Sequence, residues 1–398
     1  MTDEGNKRRT GAALIWALTV NYAGMVALAV AVNLTPIFLT TFSRELGGVA
    51  GLTNEQLGRI GAVTFLGLII GILITGPLAD RLGAKIFAIL GNVLVSVGLL
   101  ILGTSQSYEM VLLASAVMGF GAGVLDMVLS PIVCALQPEK RSVAMNLLHS
   151  FYCTGAVLTI LMGALALKLD WGWRNISLWL ALMPAAVGFC FILLKLPPLV
   201  QHVEGRMRLR ELIFKPFFLV AVVALFFGGA TELAMAQWLP AYAEKQLHFS
   251  AWTGGMAFLG FSVAMAVGRI GAGILGNKID PYKIMLFCCW GSVVLFLIAC
   301  SPWFPGVALT ACIFAGLAGS CLWPCLLGVT ADRYPRGGAS MFGFLSTFGN
   351  AGGIFMPWAV GIIADRSSLA TGLLISAACP LLMGILLLWM RKHRGIES

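Results

Sequence analysis

Of the 17 Asp and Glu residues, only Asp126 and Glu232 lie well inside apolar stretches. Asp126 sits in "GFGAGVLDMVLSP" (119–131) and Glu232 in "GGATELAMAQWLPAYAE" (228–244). A charge at bilayer depth costs at least about 2.5–3.5 kcal/mol, so such residues usually face a cavity or a partner and serve ion or solute movement. A carboxyl removed from water favours its neutral form, so modest changes of hydration let it load and release a proton. That chemistry makes Asp126 the candidate proton-coupling group and Glu232 a second. The alternative for each is a carboxylate satisfied structurally by a neighbouring helix.

His149 is placed to tune Asp126. The turn at 137–141 is short, so the helices before and after it are antiparallel neighbours. Asp126 lies about 16 Å before that turn and His149 about 12 Å after it, at about 1.5 Å per residue. Histidine titrates near neutral pH. Asn146, His149 and Cys153 share one helical face. The alternative is a core histidine bonded to a backbone carbonyl. Further candidates for holding a polar solute are Asn33, Gln237, Trp238, Trp323 and Asn350. A sugar suits such a set, with hydroxyls for the amides and a C–H face for an indole plate. For the tryptophans the alternative is packing or an interfacial belt. Gly228–Gly229 and Pro240 predict an interrupted helix near Glu232.

The elements that must position these residues follow from hydropathy. The chain has 398 residues, 59% hydrophobic and 11% charged, with mean hydropathy +0.92. Twelve apolar blocks are long enough to cross about 30 Å of hydrocarbon. They cover 12–42, 56–79, 84–105, 109–136, 142–168, 174–196, 216–243, 251–277, 281–301, 305–330, 337–364 and 368–390. Backbone groups in lipid must be satisfied within the segment, so the fold class is an all-α membrane protein. Gly71 and Gly268, Gly76 and Gly273, Gly119 and Gly316, Phe151 and Phe348, and Gly155 and Gly352 share one offset of 197 residues. "NLTPIF" (33–38) falls on "QWLPAY" (237–242) at an offset of 204. The expectation is two parallel six-helix pseudo-repeats. The first is 1–196, the cytoplasmic connector 197–215 and the second 216–398, rocking about a central cavity. The 197 offset puts Trp323 where the first repeat has Asp126.

The net charge of +9 reflects topology rather than nucleic acid. With the N-terminus inside, 20 of the 26 Lys and Arg fall on the cytoplasmic side. Both termini are therefore expected in the cytoplasm, with the chain in a cell (plasma or inner) membrane and no cleavable signal. The ten cysteines fall in spans or at their ends and read as apolar packing. Cys321 and Cys325 share a face without a histidine cluster, so no metal is expected, and no cofactor. No GxSxG, HExxH, paired carboxylates or Walker motif is present, which argues against an enzyme and against direct ATP drive. The expected partners are a small-molecule solute, protons (sodium being the alternative ion) and the lipid bilayer, carried by a monomer. A buried Arg or Lys would favour an anion as solute. Arg269 is the near candidate, and its place close to the end of span eight reads as structural.

"GPLADRLGAK" (76–85) resembles the loop motif of the major facilitator superfamily, and "GILGNKIDPYK" (273–283) its degenerate second copy. The resemblance implies twelve helices and secondary transport. Gly76 then allows close helix approach, Asp80 accepts from helix-end donors, and Arg81 and Lys85 face acidic groups or lipid phosphates. Asp80 is expected to be structural. Span four has "LLASAVMG" where drug–proton exchangers carry an arginine, and span five has "GAVLTILMG" in place of their G-P-x-x-G-G. The stretches around Asp126 and Glu232, "MNLLHSFYCTGA" (145–156) and "FGNAGGIFMPWAVGIIAD" (348–365) resemble the fucose/glucose–proton symporter family. That family has a span-four carboxylate where Asp126 stands and uses polar span-five residues to hold sugar hydroxyls. Its fucose permeases have an aspartate where this chain has Pro36. The resemblance implies proton-coupled sugar symport; export, or carriage of an organic anion, is the alternative.

Overall fold

The computed structural model describes residues 3–137, 141–196, 207, 209–275, 278–301, 304–334 and 337–394. The side chains at 3–10, 77, 80, 81, 141–146, 274 and 338–340 lie outside the description. Asp80, Arg81 and Asn146 are therefore not placed, nor are 197–206 and 208 of the connector. Among the described residues the chain is helical, with twelve spans apolar enough to cross a membrane. They are Gly11–Leu46, Asn54–Gly76, Ala84–Thr104, Tyr108–Leu136, Leu147–Lys168, Gly172–Leu193, Pro216–Lys245, Ala251–Gly273, Pro281–Ala299, Pro305–Arg333, Met341–Arg366 and Leu369–Lys392. Spans one to twelve below follow this order.

Three spans are broken, each just before a proline. Span one runs as a helix over Asp3–Asn33, tightens to a 3-10 turn over Thr35–Phe38, and resumes at Leu39–Leu46. Pro36 has no N–H to give and disfavours the α conformation at Thr35. Span ten stops at Gly319 and restarts at Leu322. Pro324 cannot donate to the Ser320 carbonyl, four residues back, and that carbonyl is left for another donor. Span twelve divides at Ala377, with Pro380 four residues after Ser376. Span seven differs from expectation. Its helix, Pro216–Lys245, continues through Gly228, Gly229 and Pro240 without interruption. Its buried packing outweighs the propensity cost of the two glycines.

The repeat read from the sequence recurs in packing. A β-carbon on Gly71 would strike the Phe120 carbonyl, and one on Gly268 would strike the Leu317 carbonyl. Phe120 and Leu317 differ by the same 197 residues. Likewise Gly155 backs onto Val26 and Gly352 onto Ala230, at the 204 offset. Small residues let these helices approach closely where lipid supplies no hydrophobic drive.

Two compact units result. The first comprises Met1–Leu34, Gly67–Thr159 and Trp171–His202. The second comprises Thr35–Leu66, Ile160–Asp170 and Val203–Ser398. The second thus includes the ends of spans one, two and five that lie opposite the N-terminus, called distal here. In its core, Phe217 and Phe218 set edges against Tyr334, and Phe218 stacks on Phe344.

Candidate functional site

In the first unit, Asp126 lies in the unbroken helix Tyr108–Leu136, among residues buried on its other faces, and is itself half-buried. Its electrostatic neighbour is His149 of span five. His149 is exposed. One turn on, Tyr152 accepts a hydrogen bond from the Asn33 amide at 3.4 Å. Asn33 also donates to the Ala29 carbonyl at 2.9 Å and stands where the first helix of span one ends. Tyr22 stacks on Phe151 at 4.6 Å between ring centres, which fixes span one against span five beside this group. Asp126, His149, Tyr152 and Asn33 thus form a polar strip of acid, base, phenol and amide. The sequence reading missed Tyr152. Its place three residues after His149, on the same face, is the signal for it.

In the second unit, Glu232 is held by Arg269 of span eight. The guanidinium Nη2 donates to the two carboxylate oxygens at 3.1 and 3.3 Å. Its Nε donates to the Ser320 carbonyl at 3.4 Å, the group that Pro324 leaves without its helical donor. Trp323 follows the break in span ten, and its ring fills the space beside Gly229 and Gly349, with Asn350 buried next in the chain. Gly229 is one turn before Glu232, so the ion pair and the indole are neighbours along span seven. The sequence reading did not pair Arg269 with Glu232. The signal was two opposite charges at membrane depth in consecutive spans.

Gln237 and Trp238 are placed elsewhere, in a seam at the distal end of the second unit. Trp238 is wholly buried and donates its indole N–H to the Pro357 carbonyl at 2.8 Å. The Gln237 amide packs on Gly61, and its buried amino group finds no acceptor among the described residues. Thr40 donates to Glu244 at 2.5 Å, and Trp358 to Glu55 at 2.5 Å. In the loop motif, Gly76 faces Met127 and Lys85 donates to the carbonyls of Ile192 and Leu194 at 2.8 and 2.7 Å. Lys85 thus serves the carbonyl end of span six rather than an acidic group. Among the described residues, no group of three His, Cys, Asp or Glu is arranged to hold a metal ion.

Twelve spans in two packing repeats, each with half-buried charged side chains inside its spans, mark a multi-pass membrane transporter rather than an enzyme. The chain belongs to the Major Facilitator Superfamily, whose family model matches residues 17–291 and again 253–397. A Bacillus subtilis (strain 168) protein provisionally named niacin/nicotinamide transporter NiaP is 28% identical over 365 residues, covering 84% of this chain and 87% of its own. Among solved structures, the nucleoside transporter NupG superposes with a TM-score of 0.77 at 11% identity, over 95% of this chain and 99% of that one. The E. coli fucose:proton symporter FucP superposes with a TM-score of 0.67 at 21% identity, over the same shares, 95% and 99%. At these identities the likeness concerns the fold, and the resemblance to fucose permeases extends to it.

Proposed function

We propose that this chain is a secondary active transporter that takes up a small polar solute together with protons. The observation that carries the reading is Asp126, a carboxylate inside an apolar helix, with His149 as its electrostatic neighbour. An acid beside an imidazole puts a proton carrier and a hydrogen-bonding group at one place. Asn33 and Tyr152 supply hydrogen bonds for hydroxyls beside it, and Asn146 falls on the same face by spacing. Trp323 and Asn350 are the corresponding solute contacts of the second unit.

The resemblance to the fucose/glucose–proton symporters supports a sugar as solute. The ion pair of Arg269 and Glu232 favours a second reading, an organic anion. The lysine and arginine distribution supports a cell membrane with both termini in the cytoplasm. The distal seam then faces outward, and Gln237 and Trp238 act in closing it. The halves 1–196 and 216–398, joined by 197–215, alternate the access of the solute to either side. Asp80 and Arg81 act at the inner face as structural parts of that change.

The test uses proteoliposomes under an imposed pH gradient. Asp126→Asn mimics the protonated form. Proton-driven accumulation should be lost while solute counterflow, which needs no net proton release, is retained. Accumulation by this variant at the wild-type rate would show that the carboxylate is a structural bond.

A further inference from the structure

Arg269 has no part in the proton step above, yet it is the guanidinium that the fold brings to Glu232 and the break in span ten. An arginine at this depth needs neutralising, and Glu232 does that. Nη2 reaches both Glu232 oxygens, at 3.1 and 3.3 Å. The side chains keep 28% (Arg269) and 14% (Glu232) of their surface exposed. The Ser320 carbonyl steadies Nε from span ten, and three residues later Trp323 presents an indole, half-buried, beside Gly229. A charged fork and an aromatic plate therefore meet within one unit, on spans seven, eight and ten.

We infer that Arg269 is a carboxylate-binding group for the solute, and that Glu232 occupies it in the solute's absence. The class of ligand is a ring carrying one carboxylate, an aromatic acid or a sugar acid. The carboxylate takes the guanidinium fork and displaces Glu232, while the ring lies on Trp323. Arginine suits the role because it stays charged in any setting and its planar fork matches a carboxylate. The inference rests on the transporter reading and names its substrate class.

The test is calorimetric titration of the full-length protein in detergent with two matched pairs, nicotinate against nicotinamide and glucuronate against glucose. Without a membrane gradient the titration is blind to proton drive, so its failure is separate from that of the liposome assay. At least one acid should bind, and its uncharged partner should be weaker by about tenfold or more, the worth of a charge-assisted hydrogen bond. Arg269→Gln should remove the acid's advantage. Glu232→Gln keeps the arginine, removes its competitor and should tighten the acid by about tenfold. A purely neutralising pair would leave the acid's affinity unchanged in Glu232→Gln. That result, equal binding of acid and uncharged partner, or no saturation by either acid would overturn the assignment.

Discussion

The Asp365 carboxylate caps the helix that begins at Asn54, taking the Asn54 backbone N–H at 2.7 Å and, through its other oxygen, that of Glu55 at 2.8 Å. The next donor is satisfied locally. Thr53 accepts from the Gln56 N–H at 3.2 Å, and the Gln56 side chain accepts from Thr53 at 2.9 Å, a reciprocal capping box. A helix start thus draws its anion from the end of span eleven, more than 300 residues away in the chain.

Asp365→Ala leaves those two N–H groups to water. Because Asp365 is exposed, the loss should be about 1 kcal/mol, within the range of helix caps. Hydrogen exchange at Asn54 and Glu55 should speed up about fivefold. Exchange at the wild-type rate would mean that the cap contributes nothing to holding the seam.

The seam also depends on glycine. A β-carbon at Gly58 would lie 2.7 Å from the Pro357 carbonyl oxygen and 3.2 Å from the Trp238 ring. Gly58→Leu should wedge spans two and eleven apart there. Transport should fall at least about tenfold while solute binding persists, since the wedge acts on closure. Wild-type transport by Gly58→Leu would show that the seam yields without cost.

Lys85→Met removes the ammonium from the carbonyls at the end of span six. Two charge-assisted bonds at a half-exposed site should be worth about 1 kcal/mol after solvent screening. The expected result is faster exchange of the amides at 190–194 and a lower Tm, with solute affinity unchanged. A fall in affinity with no change in exchange would point to a role in binding instead.

Trp323 offers the clearest graded series. Trp323→Phe keeps a plate beside Gly229 and Gly349 and should retain part of the solute affinity. Trp323→Ala removes it and should abolish binding. Equal affinity in wild type and both variants would make the indole packing alone.

Hydropathy locates the twelve spans because no shorter apolar run can cross a bilayer. The meeting of Asp126 with His149 is legible by counting residues out from one tight turn. The breaks are less so. Ser320–Pro324 and Ser376–Pro380 share a spacing that ends a helix, yet Pro240 lies inside a continuous one. A proline states which hydrogen bond is lost, and the surrounding packing decides whether the helix survives. Glu232 and Arg269 were visible singly. Their pairing depends on the rotation of span eight against span seven, which an all-round apolar helix does not encode. Gln237 and Trp238 read as solute contacts because amides and indoles serve both binding and packing; only the burial of Trp238 and its bond to Pro357 distinguish the two.

Spans seven and eight are consecutive, joined by a short turn at 246–250, and each carries one partner of the Arg269–Glu232 pair. A chain made from its N-terminus presents Glu232 before Arg269. When the arginine leaves the ribosome, its counter-ion is already one helix ahead of it. The two spans can then enter the bilayer as a neutral hairpin, sparing span eight part of the cost of a lone arginine inside the membrane. The same two side chains would thus matter during biosynthesis, before spans nine to twelve exist.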